Sequence, residues 1–242
     1  MWHEYNVVVL DVETLQSADD CRHCGQSQDV CSARRGNAPT YMHDFESIGW
    51  DNYAELGLSI GCIYSYDIDR YEFFDMHTLE ATMRELVEQQ PLLVSFNGKQ
   101  FDGPLLCAVL HQQVVQGFPT TEQEAQDQSS IASLCNATAL LWSESYDILG
   151  EIWDADPARK FECGLNSLGA ISQANGYGAK EMDGTMAPRL WAQGHHAEVA
   201  TYCMANVWKT RKLFEQIVDT GEILRGDGQP IRLRAPFAKE QK

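Results

Sequence analysis

In the stretch VVVLDVET, residues 7–14, four apolar residues run into two acids, Asp11 and Glu13, one residue apart. Side chains at i and i+2 of a strand share a face, so a strand here projects both carboxylates to the same side. Two like charges that close do not both ionise without a partner. A neighbouring Arg or Lys, or exposure to water, is one solution. A hard divalent cation, which takes oxygen ligands and is often shared between carboxylates, is the other. SFNGKQFDGPLL (95–106) adds Asp102 after a second apolar run, at the first turn of a helix, where alone it reads as an ordinary cap. YCMAN (202–206) sets Tyr202 and Asn206 one helical turn apart on one face. A glycosidase built on Asp11 and Glu13 is a poor reading, because acids on one face of a strand do not flank a glycosidic bond.

The elements that must position these residues follow from the patterning. Tyr5–Leu10 reads as a buried strand, and 56–67 with 70–75 as a hairpin turning at Ile68–Asp69. Residues 78–90 read as a helix with Leu79, Met83, Leu86 and Val87 on one face, Thr78 as cap and Pro91 as stop. LLVSF (92–96) reads as a short buried strand and 101–115 as a helix packed on the sheet. Gln116–Ser130 is polar and Gln-rich, a surface connection with room for a few helical turns. SYDILGEIW (145–153) enters a strand or helix with Asp147 at the boundary, and 164–176 is amphipathic and closes on Gly176. His196–Thr220 is a long helix with Val199, Tyr202, Cys203, Val207, Leu213, Phe214 and Ile217 at helical spacing. This order predicts an α/β mixed sheet flanked by helices, with the carboxylates at strand ends where such sheets place ligands. The whole of 1–242 reads as one domain with a polar insertion at about 15–52.

The series DVET, FNGKQFD and YCMANVWKTRKLF resembles the DEDD superfamily of 3′–5′ exonucleases, which have a ribonuclease-H-like fold. More narrowly it resembles the tyrosine subtype and the exonuclease domains related to family B DNA polymerases. The likeness extends through LGLSIGCIYSYDIDRYEFF, YDILGEI and the segment from Leu165 to Cys203, covering most of residues 5–218. The histidine subtype would need His five residues before the last acid position, where this chain has Thr201. The resemblance implies that Asp11 bridges two Mg²⁺ or Mn²⁺ ions, that Glu13 helps hold the ion activating water, and that Asp102 holds the ion beside the leaving group. Tyr202 would position and help deprotonate the attacking water. It also implies a single-stranded nucleic acid 3′ end as substrate, DNA in preference to RNA, delivered by a polymerase or helicase partner, with one nucleoside monophosphate released per cycle. The other class to weigh is a catalytically silent nucleic-acid-binding module using the same cleft.

The pattern wants Asp at 206, and this chain has Asn. An amide offers a hard cation one uncharged oxygen, so it binds more weakly than a carboxylate. The chain is then an active-site variant that traps metal or substrate, a natural protein with impaired or absent cleavage, or a site where another acid such as Asp147 substitutes. CRHCGQSQDVC (21–31) gives Cys21 and Cys24 the spacing of a zinc knuckle, with Cys31 as third thiolate and His43 or His23 as fourth ligand. The alternative is a loop with reduced thiols. Thr14, Asn97, Lys99 and Asp147, with Arg34 and Arg35, are candidate substrate contacts. Asn97 also fits a plain Asn-Gly turn. Trp50 and Tyr53 are candidates for stacking a base.

The formal charge of −17 excludes a general basic surface for nucleic acid. It leaves phosphate chemistry open only through cations held by carboxylates, which invert the local field. Of the eight cysteines, Cys62, Cys107, Cys135, Cys163 and Cys203 lie in apolar surroundings and read as reduced packing residues. No apolar run approaches the roughly 20 residues that span a bilayer, and the N-terminus lacks a signal-peptide pattern. These features predict a soluble, cytoplasmic protein.

Overall fold

The valine run becomes β1 (Val7–Thr14), which continues through both acids instead of stopping at Leu10. The computed structural model describes residues 6–22, 25, 47–115, 122–162, 164–180 and 182–237, the side chains of 113–115 and 122–125 excepted. After β1 come a one-turn helix α1 (Tyr53–Leu56), the hairpin β2 (Leu58–Ser65) and β3 (Arg70–Phe74), and helix α2 (Leu79–Gln89). Strand β4 (Leu92–Ser95) leads into α3 (Asp102–Val115), and α4 (Glu122–Ser143) into the two-residue strand β5 (Tyr146–Asp147). Helices α5 (Ile148–Ala155), α6 (Leu168–Ala174), α7 (Ala187–Ala192) and α8 (His196–Thr220) follow, then β6 (Glu222–Leu224) and β7 (Pro230–Arg232).

Among the described residues, five strands form one sheet in the order β3-β2-β1-β4-β5. The pairs β3–β2 and β2–β1 are antiparallel, whereas β1–β4 and β4–β5 are parallel. Apolar layers cover both faces, giving the α/β mixed sheet flanked by helices that the patterning predicts, in the ribonuclease-H-like form that the resemblance implies. The alternation along β1 decides which layer each residue joins. Val8, Leu10 and Val12 pack with Met83, Leu86, Leu105 and Leu106 from α2 and α3. Val7 and Val9 pack with Cys203, Val207, Phe214 and Ile217 from α8. Asp11 and Glu13 continue the second set, so they face α8. A slip of one residue would turn every β1 side chain to the wrong layer. Each buried Val or Leu contributes roughly 1.5–3 kcal/mol, so the register is held by the strand as a whole.

Helix α8 keeps its predicted bounds and ends on Gly221, left-handed at φ 69°, whose N–H returns to the Ile217 carbonyl at 2.8 Å. The hairpin β6–β7, which the patterning does not predict, adds Ile223 and Ile231 to the layer beneath that end. Thr78 stands at the N-cap of α2 as expected, though its hydroxyl does not cap the helix; the Asp75 carboxylate accepts the N–H groups of His77 and Thr78, and the Thr78 Oγ1 accepts the Asp75 N–H. The helical turns allowed for in 116–130 belong to α4, which begins at Glu122 and runs on to Ser143. Of the proposed zinc ligands, Cys24, Cys31, His43 and His23 lie outside the described residues, as do Arg34, Arg35 and Cys163. Cys21 is buried and forms a β-bridge with Ser47. Among the described residues no helix is long and apolar enough to cross a membrane.

Candidate active site

Parallel pairing of β1 with β4 and of β4 with β5 brings three strand ends to one edge of the sheet. Each end delivers an acid: Asp11 and Glu13 from β1, Asp102 from the turn between β4 and α3, and Asp147 from β5. The turn itself is fixed by Asp147. Its carboxylate accepts the backbone N–H of Asn97 at 2.8 Å, Lys99 at 3.1 Å, Leu149 at 3.1 Å and Gly150 at 3.4 Å. It thus caps α5 and cradles the Asn97 turn, which takes a left-handed φ of 73°. Asp147 is committed to backbone, and its neighbour Lys99 is exposed.

Asp11, Glu13, Asp102, Tyr202 and Asn206 line a single cleft of about 240 Å³, with Thr14 and Asn97 also on its wall. Asp102 is the first residue of α3 and only 4% exposed. Burial pushes Asp11 up to about 6, against the lowering action of Lys180, Asn206 and Cys203. Burial, and then the Asp11 charge, holds Glu13 well above the carboxylate range. Asp102 is raised in the same way, by burial and then by Asp11, Asp147 and Glu13. With Asp11 raising Glu13 and both raising Asp102, the site is short of positive charge.

Part of the deficit is met by residues of the chain itself. Asn206 Nδ2 donates to Asp11 Oδ2 and to Glu13 Oε1, both at 3.2 Å. Its Oδ1 is buried without a hydrogen-bond partner. Lys180, which the sequence reading passed over, also lines the cleft. Although the residue is exposed, its ammonium lies 5.3 Å from the Tyr202 ring centroid. Desolvation lowers its pKa, but Tyr202, Asp11 and Glu13 outweigh that and hold it above the ordinary value. The only signal for Lys180 in the sequence is a single cation in GYGAKEMD, between glycines and acids. The Tyr202 hydroxyl is buried and makes no hydrogen bond of ordinary geometry. Burial raises its pKa while Lys180 lowers it.

The donor set fits a hard divalent cation. Carboxylate oxygens converge, they resist ionisation without added positive charge, and a further oxygen, Asn206 Oδ1, stands unused. Cys203 brings a ligand atom within 4.8 Å of those of Asp11 and Glu13. Its thiol already donates to the Asp11 backbone carbonyl at 3.4 Å, and hard cations favour oxygen over sulfur. His195 and His196 stay at the start of α8, the first against Glu198 at 2.7 Å and the second stacked on Trp191.

No curated protein matches the chain significantly. A family model described as a predicted 3′–5′ exonuclease related to the exonuclease domain of PolB matches residues 63–227. That span takes in Asp102, Lys180, Tyr202 and Asn206 and leaves out β1, so the pairing of β1 with the matched region is what joins Asp11 and Glu13 to it. With more than half of its length matched, and on a ribonuclease-H-like sheet, the chain belongs to the family of predicted 3′–5′ exonucleases related to the exonuclease domain of PolB.

Proposed function

We propose that the cleft hydrolyses single-stranded DNA from its 3′ end in the manner of the tyrosine subtype, releasing nucleoside monophosphates, and that Asn206 leaves it impaired. The observation that carries this reading is the convergence of Asp11, Glu13 and Asp102 from separate elements, opposite Tyr202 and Asn206, in one cleft. Asp11, Glu13 and Asp102 would hold two Mg²⁺ or Mn²⁺ ions, with Asn206 Oδ1 a weak further ligand. Such ions, when bound, stabilise the entering and leaving oxygens of an in-line displacement at phosphorus. Tyr202 keeps its proton because burial raises it, so its hydroxyl orients a water by donating to it or accepting from it. Lys180 supplies a fixed positive charge on the same side of the cleft, where a phosphate needs one.

Asn206 works against this chemistry twice. It replaces a charged ligand by a neutral one, and its amide N–H groups occupy the carboxylate oxygens that a cation would take. Loss of a supporting partner in a metal site costs roughly 10–100-fold in affinity or activity, and loss of a direct ligand at least that. The same bridge supports the second reading, a silent module that binds a strand without cutting it. Incubating Asn206→Asp and the parent chain with Mn²⁺ and a 5′-labelled oligonucleotide separates the two. We expect stepwise shortening with mononucleotide release, faster in N206D by at least about tenfold. Tight binding with no products from either chain would leave the silent module as the better reading.

A further inference from the structure

The lining of the cleft is of two kinds: the acids and Lys180 on the one hand, and the apolar Trp50, Leu56, Phe96 and Phe101 on the other. We propose that Trp50 is the stacking platform for the base of the 3′-terminal nucleotide, an inference that rests on the exonuclease reading of the cleft. Trp50 is 63% exposed although it lines a cleft beside other aromatic rings. Its edge contact with Phe101, at 6.2 Å and 61° between ring planes, braces one side. Phe101 is braced in turn by Tyr53 at 5.9 Å, and the Tyr53 hydroxyl donates to the Gln100 carbonyl at 2.8 Å. The segment carrying Trp50 is anchored by Ile48, which is 1% exposed and donates its N–H to the Asp20 carbonyl at 2.8 Å. Phe101 immediately precedes Asp102. The ring that braces Trp50 is therefore joined by backbone to an acid of the same cleft.

Charge explains why such a platform is needed. A chain of net charge −17 gains little from displacing counterions on a phosphate backbone. Its affinity for a strand must come from base stacking, which every base supplies through its π face. Trp50 lies before Ile63, outside the span that the family match covers, so the platform is a feature of this chain's own segment between β1 and β2.

The test is a binding cycle in EDTA, and again in Ca²⁺, using two fluorescein-labelled oligothymidylates, one intact and one whose 3′-terminal nucleotide lacks its base. Trp50→Ala should weaken the intact strand roughly tenfold and change the abasic-ended strand by less than about twofold, and Trp50→Phe should keep most of the difference. Should W50A melt well below the parent chain, Trp50→Leu against W50F decides the matter, since both keep an apolar side chain and only one keeps a ring. Equal weakening of both strands, no weakening of either, no strand binding by the parent chain, or W50F and W50L behaving alike each overturns the platform. The exonuclease reading fails by a different result, the absence of mononucleotide release by N206D in Mn²⁺, so the two can be told apart.

Discussion

Asn206 and Lys180 answer the same electrostatic problem by different means. The amide spreads two N–H groups over Asp11 and Glu13, whereas the ammonium acts on them through its charge. With Asp at 206 the amide bridge is gone and a further charge is added, so the demand on Lys180 grows. In the N206D background, Lys180→Met should therefore reduce Mn²⁺-dependent nucleotide release by about 10–100-fold, and Lys180→Arg by less. Initial rates over a range of Mn²⁺ concentrations check this. A loss that saturating Mn²⁺ fully restores would place Lys180 in ion capture instead of in contact with the phosphate. The pair Asp11 and Glu13 was legible in the sequence because a strand has a period of two and the two acids are neighbours. Lys180 was not, since its contact with Tyr202 and the acids is made by the turn following α6 and by no local pattern.

At the level of elements, the site depends on a turn that Asp147 holds together. Four backbone N–H groups from two segments end on its carboxylate, and Asp147 is itself 4% exposed. Asp147→Ala leaves those donors without an acceptor and removes the cap of α5. The expected cost is about 2–4 kcal/mol, read from urea unfolding in EDTA, with Asp147→Asn costing less. A change below about 0.5 kcal/mol would show that water replaces the carboxylate and that the turn holds itself. Residues on either side of this turn are closely packed. A Cβ on Gly103 would lie 2.7 Å from the Trp142 ring, so Asp102 enters α3 on a backbone pressed against α4. The helix that supplies Trp142 is also the one that sequence periodicity describes worst. Its buried line is Leu134, Thr138 and Trp142, a stripe one side chain wide with a hydroxyl in the middle, set among Gln, Ser and Ala. Helix α8 was legible from end to end because seven apolar residues mark a broad face and Gly221 closes it.

For the molecule as a whole, the acids of the cleft are part of a net charge of −17. Asp11 stands at about 6 in the folded chain against an ordinary 3.8, and Glu13 and Asp102 are also raised well above their own ordinary values. Between the unfolded and folded values the native chain holds protons that the unfolded chain has released. Stability in the absence of metal must therefore fall as pH rises, with the Asp11 share lost between 3.8 and about 6 and the shares of Glu13 and Asp102 lost in the same direction. Self-repulsion of the net charge of −17 acts in the same direction. The two contributions separate by mutation. In EDTA the parent chain should melt at a lower temperature near about pH 7.5 than near about pH 5.5. An Asp11→Asn, Glu13→Gln chain should lose much of that difference while keeping nearly the same net charge. Mn²⁺ adds the opposite test, because a cation stabilises only the state that binds it. It should raise the melting temperature of the parent chain more at the higher pH, where protons no longer compete, and should leave the doubly substituted chain unmoved. A melting temperature that climbs with pH in EDTA, or a Mn²⁺ shift that survives both substitutions, would mean that the acids of β1 are neither strained by their burial nor the place where a cation binds.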